Sequence, residues 1–164
     1  MKYRYGFAVF LAAFIIQSTL AYHIAAFGVA PNLVLVMVIA FSFLFEEKHG
    51  MIFGILFGLL QDVMFSHVVG ISALSYFLVA LAISEIKRYL YRDNIISVAF
   101  IAIGGTVGYN LANWSLSRLF GGIYGFLYFL ERLPTAIIFN MGFLFLAYWV
   151  IVRKVIKYRG FKYM

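Results

Sequence analysis

The sequence contains no cysteine, which removes disulfides, thiolate nucleophiles and soft-metal sites from consideration. Proline occurs only twice and acidic side chains six times in 164 residues. Charged residues make up 12% of the chain, against ~25% in soluble domains. With 65% hydrophobic residues and a mean hydropathy of +1.00, a water-soluble fold of this size could not hide its apolar surface. Long polar stretches are missing as well; the longest runs only from Glu85 to Asn94, too short to fold alone. The expectation is therefore an all-α, polytopic integral membrane protein with residues 1–164 forming a single transmembrane domain. What is abundant fits this: 19 Phe, 12 Tyr and 2 Trp supply the aromatic mass of lipid-facing and interfacial positions.

Lengths then divide the chain. From Gly6 to Phe45 only His23 interrupts the uncharged run, which as one helix would reach about 60 Å at ~1.5 Å per residue. A bilayer core is about 30 Å thick, so the run must turn once, and Gly28 to Pro31 is the place. The stretch from Met51 to Ser84 would reach about 51 Å and needs a second turn, supplied by Ser66 to Gly70. The parse is six short spans near 6–22, 30–45, 51–65, 70–84, 95–117 and 133–152. Pro31 and Pro134 would each fall in a first helical turn, where a missing N–H costs no bond. The basic, then apolar, start is read as a retained first span, because no small-residue cleavage site follows it.

Lys and Arg set the orientation. Lys2, Arg4, Lys48, Lys87, Arg88, Arg92, Arg153, Lys154, Lys157, Arg159 and Lys162 fall on one side, and only Arg118 and Arg132 on the other. This asymmetry predicts both termini in the cytoplasm, with the basic tail from Arg153 anchoring topology and resting on anionic headgroups.

In that frame the intramembrane polar residues gather in the outer half: Gln17, Ser18, Thr19, Asn32, Gln61, Asp62, Ser72, Ser75, Asn110, Asn113, Ser115, Ser117, Thr135 and Asn140. Thr106, Asn110, Asn113 and Ser117 share one face of a helix, a stripe that avoids lipid and serves either as glue between helices or as a ligand or partner site. Asp62, the acidic residue placed inside a span, is a structural ion pair or cap, or part of a functional interface; Arg118 is its expected counter-charge, with His67 on the same side as the alternative. Gly50, Gly54 and Gly58, and again Gly104 and Gly108, step by four residues and are expected to pack helices within the chain, with dimerisation as the other option. The segment from Gly121 to Leu130, with Tyr124, Phe126, Tyr128 and Phe129, suits a hairpin or short helix at the outer headgroups.

Catalytic chemistry finds little support. His23, His49 and His67 are assigned to separate loops without metal-ligand spacing, and Gly70-Ile71-Ser72 lacks the closing glycine of a nucleophile elbow. No nucleotide or dinucleotide fingerprint exists, so no cofactor and no nucleic-acid partner is expected. The chain reads as a binding or scaffolding protein.

Gln17-Ser18-Thr19-Leu20, Pro31-Asn32-Leu33, and Gly54 with Gly58-Leu59-Leu60-Gln61-Asp62 and Gly70 together carry a resemblance to the MreD family of the bacterial rod-shape machinery. Asn32 departs from it, standing where many members carry Asp. The resemblance implies a non-enzymatic inner-membrane scaffold that binds MreC, through it MreB and the SEDS/penicillin-binding-protein synthase, and helps cell-wall elongation. It also implies a fold similar to the S components of energy-coupling-factor vitamin transporters. A substrate-binding S component is accordingly the rival reading, since an outer polar pocket would suit a vitamin as well as a partner.

Overall fold

The computed structural model describes residues 3–24, 28–45, 47–90, 94–123 and 125–151. They form α1 (Tyr3–Ile24), α2 (Leu33–Leu44), α3 (Glu47–Phe65), α4 (Ile71–Ile86), α5 (Ile95–Leu119) and α6 (Phe126–Ile151), with a 3-10 turn at Lys87–Tyr89. Two of these, α5 and α6, are long and apolar enough to cross a membrane. Both turns demanded by length are present. Gly28 lies at φ +72 after α1, and Gly70 at φ +107 opens α4, a left-handed conformation that glycine alone adopts without steric cost.

The short helix α2 is the hub. It touches each of the other five helices, and Leu33 to Phe43 is buried save Met37. Phe10 of α1 reaches into the core with its ring 5.1 Å from those of Phe41 and Phe53 and 5.6 Å from Phe57, which ties α1 to α2 and α3.

The α3 glycines serve close packing inside the chain. A Cβ on Gly50 would strike the Ser42 hydroxyl, on Gly54 would lie 3.2 Å from Tyr76 Cβ, and on Gly58 would lie 2.5 Å from Ala73 Cα. The α5 pair behaves differently. Space is open around Gly104, and Gly108 has only Val79 at 3.7 Å. The close approach belongs to Gly105, whose Cβ would lie 2.7 Å from Ile39 Cδ1. Adjacent helical residues point about 100° apart, so one step in sequence moves a glycine from the bundle surface to its interior.

Charge marks where an apolar run stops, which is not where a helix stops. α3 begins at Glu47, taking in His49, which is buried and stacked 4.5 Å from the Tyr3 ring instead of lying in a loop. α6 begins at Phe126, runs through Glu131 and Arg132, and carries Pro134 in its interior, not its first turn. Phe126 to Leu130 are thus helical residues of α6 and not a separate hairpin. Pro31 precedes α2, whose N-cap is Asn32. Tyr124 and the tail from Arg153 lie outside the described residues. At the other end of α2, Lys87 is buried and its Nζ donates to the carbonyls of Ser42 (3.0 Å) and Phe45 (3.2 Å), placing a cation on the helix C-terminus.

Candidate functional site

Asp62 sits on the penultimate stretch of α3 and is fully buried. Its Oδ2 accepts from the backbone N–H of Gly70 and of Ser72 (2.9 Å each) and, more weakly, of Ala73 (3.4 Å). Oδ1 accepts from the Ser66 hydroxyl at 3.2 Å. Helix α4 opens on a glycine without a capping side chain, and Asp62 supplies the cap from the preceding helix. The expected partnership with Arg118 is corrected by this geometry: the Asp62 carboxylate is spent on backbone donors, and Arg118 Nη1 donates to Gly122 O at 3.2 Å.

Beside this cap lies a hydrogen-bonded network to which every helix contributes. Gln17 of α1 accepts from Val34 N (3.0 Å) through Oε1 and donates through Nε2 to Gln61 Oε1 of α3 (3.3 Å). Asn32 Oδ1 caps α2 by accepting from Leu35 N at 2.9 Å, while Asn32 N donates to Asn140 Oδ1 of α6 at 3.0 Å. Asn140 Nδ2 in turn lies 3.4 Å from Thr106 Oγ1 of α5. The Tyr76 hydroxyl of α4 closes the set, 2.8 Å from both Asn32 Oδ1 and Gln61 Oε1. Val34 N–H fixes the Gln17 amide, which fixes Gln61, and Leu35 N–H fixes Asn32. Tyr76 therefore faces two oxygens with a single proton to donate.

Gln17, Asn32, Gln61 and Asn140 of the outer polar set are thus brought together, and Thr106 of the α5 stripe joins them. Tyr76 and Tyr109, stacked at 4.7 Å, were not marked by sequence. The available signal was Ser72, one turn before Tyr76 on the same face. Replacing Tyr76 by Phe is expected to cost about 1 kcal/mol in thermal unfolding, since each acceptor keeps its second donor. A loss several times larger would mean that the hydroxyl organises the amides around it.

The lower part of the α5 stripe goes elsewhere. Asn110 Nδ2 bonds back to Thr106 O (2.8 Å), and Asn110, Asn113, Ser117 and Arg118 line a cavity of about 280 Å³ between α5 and α6. Its other wall holds Arg132, whose guanidinium donates to Gly28 O and to the Tyr128 hydroxyl and lies 4.6 Å over the Tyr128 ring. A second cavity, apolar and about 350 Å³, lies between α4 and α5 beside Gly104, Gly105 and Gly108. No group of three or more His, Asp or Glu able to hold a metal occurs among the described residues.

Neither a curated protein nor a solved structure matches the chain significantly. A family model described as rod shape-determining protein MreD matches residues 2–159. That match takes in the polar network, the Asp62 cap and both cavities, and the chain belongs to the MreD family of rod shape-determining proteins.

Proposed function

We propose that the chain is a six-span, non-enzymatic scaffold of the bacterial cell-wall elongation machinery, with both termini cytoplasmic, that docks the membrane helix of MreC in the groove between α4 and α5. Through MreC it reaches MreB and the SEDS/penicillin-binding-protein synthase. The observation that carries the docking site is the open glycine edge at Gly104 and Gly108, set among Leu78, Phe100 and Ile101, where a second helix backbone can approach closely. Support for a membrane setting comes from the outer surface. Large apolar side chains such as Ile16, Leu56, Val63, Phe100, Ile138 and Trp149 are exposed on α1, α3, α5 and α6, a coat suited to lipid and not to water. Membership of a shape-determining family favours this reading over a vitamin-binding S component.

Gly104→Leu tests the docking, because space is open around Gly104 and the fold should accept the side chain. Retention of MreC during gentle solubilisation is expected to fall about tenfold, the equivalent of ~1.4 kcal/mol, with the unfolding temperature not lowered. In cells depleted of the wild-type chain, the variant should let rods round up. Full MreC retention by a Gly104→Leu, Gly108→Leu double variant would remove the groove as the docking site. Co-purification with an ATP-driven coupling module in place of MreC would overturn the scaffold role itself.

A further inference from the structure

Only two cations fall on the sparsely charged side of the sequence, Arg118 and Arg132, and the fold brings both to the same cavity. Each guanidinium offers five N–H donors. Arg118 is engaged through Nη1 with Gly122 O, and Arg132 through its two terminal nitrogens with Tyr128 and Gly28 O, so donors remain on both. Among the described residues that line the cavity none is acidic, so nothing there balances them. Asn113 and Ser117 line the same wall and make no side-chain hydrogen bond among the described residues, although polar groups at the end of an apolar bundle require partners. Trp114, Tyr128 and Phe129 complete the enclosure with apolar surface.

We propose that this cavity binds a phosphate group, gripped between Arg118 and Arg132 with Asn113 and Ser117 as further donors. Planar guanidinium forks match phosphate oxygens in pairs, and two of them converging give both charge balance and directed hydrogen bonds. At about 280 Å³ the space takes a compact headgroup and not a large metabolite. The cavity sits where α5 ends and α6 begins, which in the six-span topology is the level of outer-leaflet headgroups. A phospholipid phosphate and a free phosphate share this chemistry, and the membrane position, which rests on the six-span reading, favours the lipid.

The test uses the full chain purified in detergent, exposed to mixed micelles of phosphatidylcholine with phosphatidylglycerol, and native mass spectrometry of the lipid retained. Wild type is expected to keep one phosphatidylglycerol about tenfold more than an Arg118→Gln, Arg132→Gln double variant, whereas Arg88→Gln, at the opposite end and paired with Glu85, behaves as wild type. Titration with inorganic phosphate in lipid-free detergent separates the sources. Saturable heat abolished by the double variant identifies a free-phosphate site, and retention of lipid without such heat identifies a headgroup site. Should the double variant unfold, Asn113→Leu fills the cavity while leaving both arginines, and it is expected to lower retention similarly. Equal lipid retention by wild type and variants, with no saturable phosphate heat, overturns the proposal. MreC retention by the same variants should stay at the wild-type level, so this site and the α4–α5 groove fail independently.

Discussion

Asp62→Ala is expected to lower the unfolding free energy by roughly 3–5 kcal/mol, because it strips the N-terminus of α4 of its cap and strands buried backbone donors. Gly70, Ser72 and Ala73 all point N–H groups at one carboxylate oxygen, and Gly70 has no side chain to replace it. Asp62→Asn keeps an acceptor oxygen at the same place and should lose only about 1–2 kcal/mol. Thermal unfolding in detergent, followed by circular dichroism, measures both. The ranking also separates a cap from an ion pair. Asp62→Asn and Arg118→Gln should add independently, since the two side chains have different partners. Strong coupling between them would restore the ion pair that the structure replaces.

Gly58→Ala should destabilise by roughly 2–4 kcal/mol, while Gly104→Ala should stabilise by up to about 1 kcal/mol. Both residues lie inside helices, where alanine is intrinsically preferred over glycine by ~1 kcal/mol. Space decides the sign. At Gly58 the new methyl would meet Ala73 Cα at 2.5 Å and Ala73 N at 2.8 Å, backbone atoms that cannot turn aside as a side-chain tip can. Around Gly104 no atom of the described residues lies within 4 Å of the added carbon. Opposite shifts in unfolding temperature are the expected result, and a stabilised Gly58→Ala protein would contradict the α3–α4 backbone approach.

The helix count and both glycine turns could be read from length arithmetic, because an uncharged run longer than a bilayer is thick has to bend. The gathering of Gln17, Asn32, Gln61 and Asn140 could be read from polarity by depth, and Thr106 from its place on the α5 stripe. The Asp62 cap could not, because its partners are backbone N–H groups that no side chain advertises, and charge alone points to Arg118 instead. Four-residue spacing picked out Gly104 and Gly108, yet Gly105 makes the contact, since spacing identifies a face without saying what lies opposite. Tyr76 was hidden in an apolar run where its ring looked like belt or core, and only a partner set in three dimensions reveals its hydroxyl as a hub. Glu131 and Arg132 read as a loop ahead of the sixth span, whereas α6 begins at Phe126 and runs through them.

The hub helix α2 has twelve residues, about 18 Å at ~1.5 Å per residue, well short of a hydrocarbon core of about 30 Å. A lipid-facing helix of that length would thin the bilayer around it. This one is screened from lipid by its neighbours, and none of its large apolar side chains is exposed. The bilayer in the proposed topology therefore registers the girth of α1, α5 and α6, with 22, 25 and 26 residues, while the centre of the molecule stays shorter than its rim. In the proposed topology Asn32, which caps one end of α2, and the Lys87 ammonium at the other end would then lie below the headgroup planes. Local membrane thickness would then act on the rim helices and leave the hub untouched, so changing acyl-chain length should alter the tilt of α5 and α6 before it disturbs the hydrogen bonds around α2.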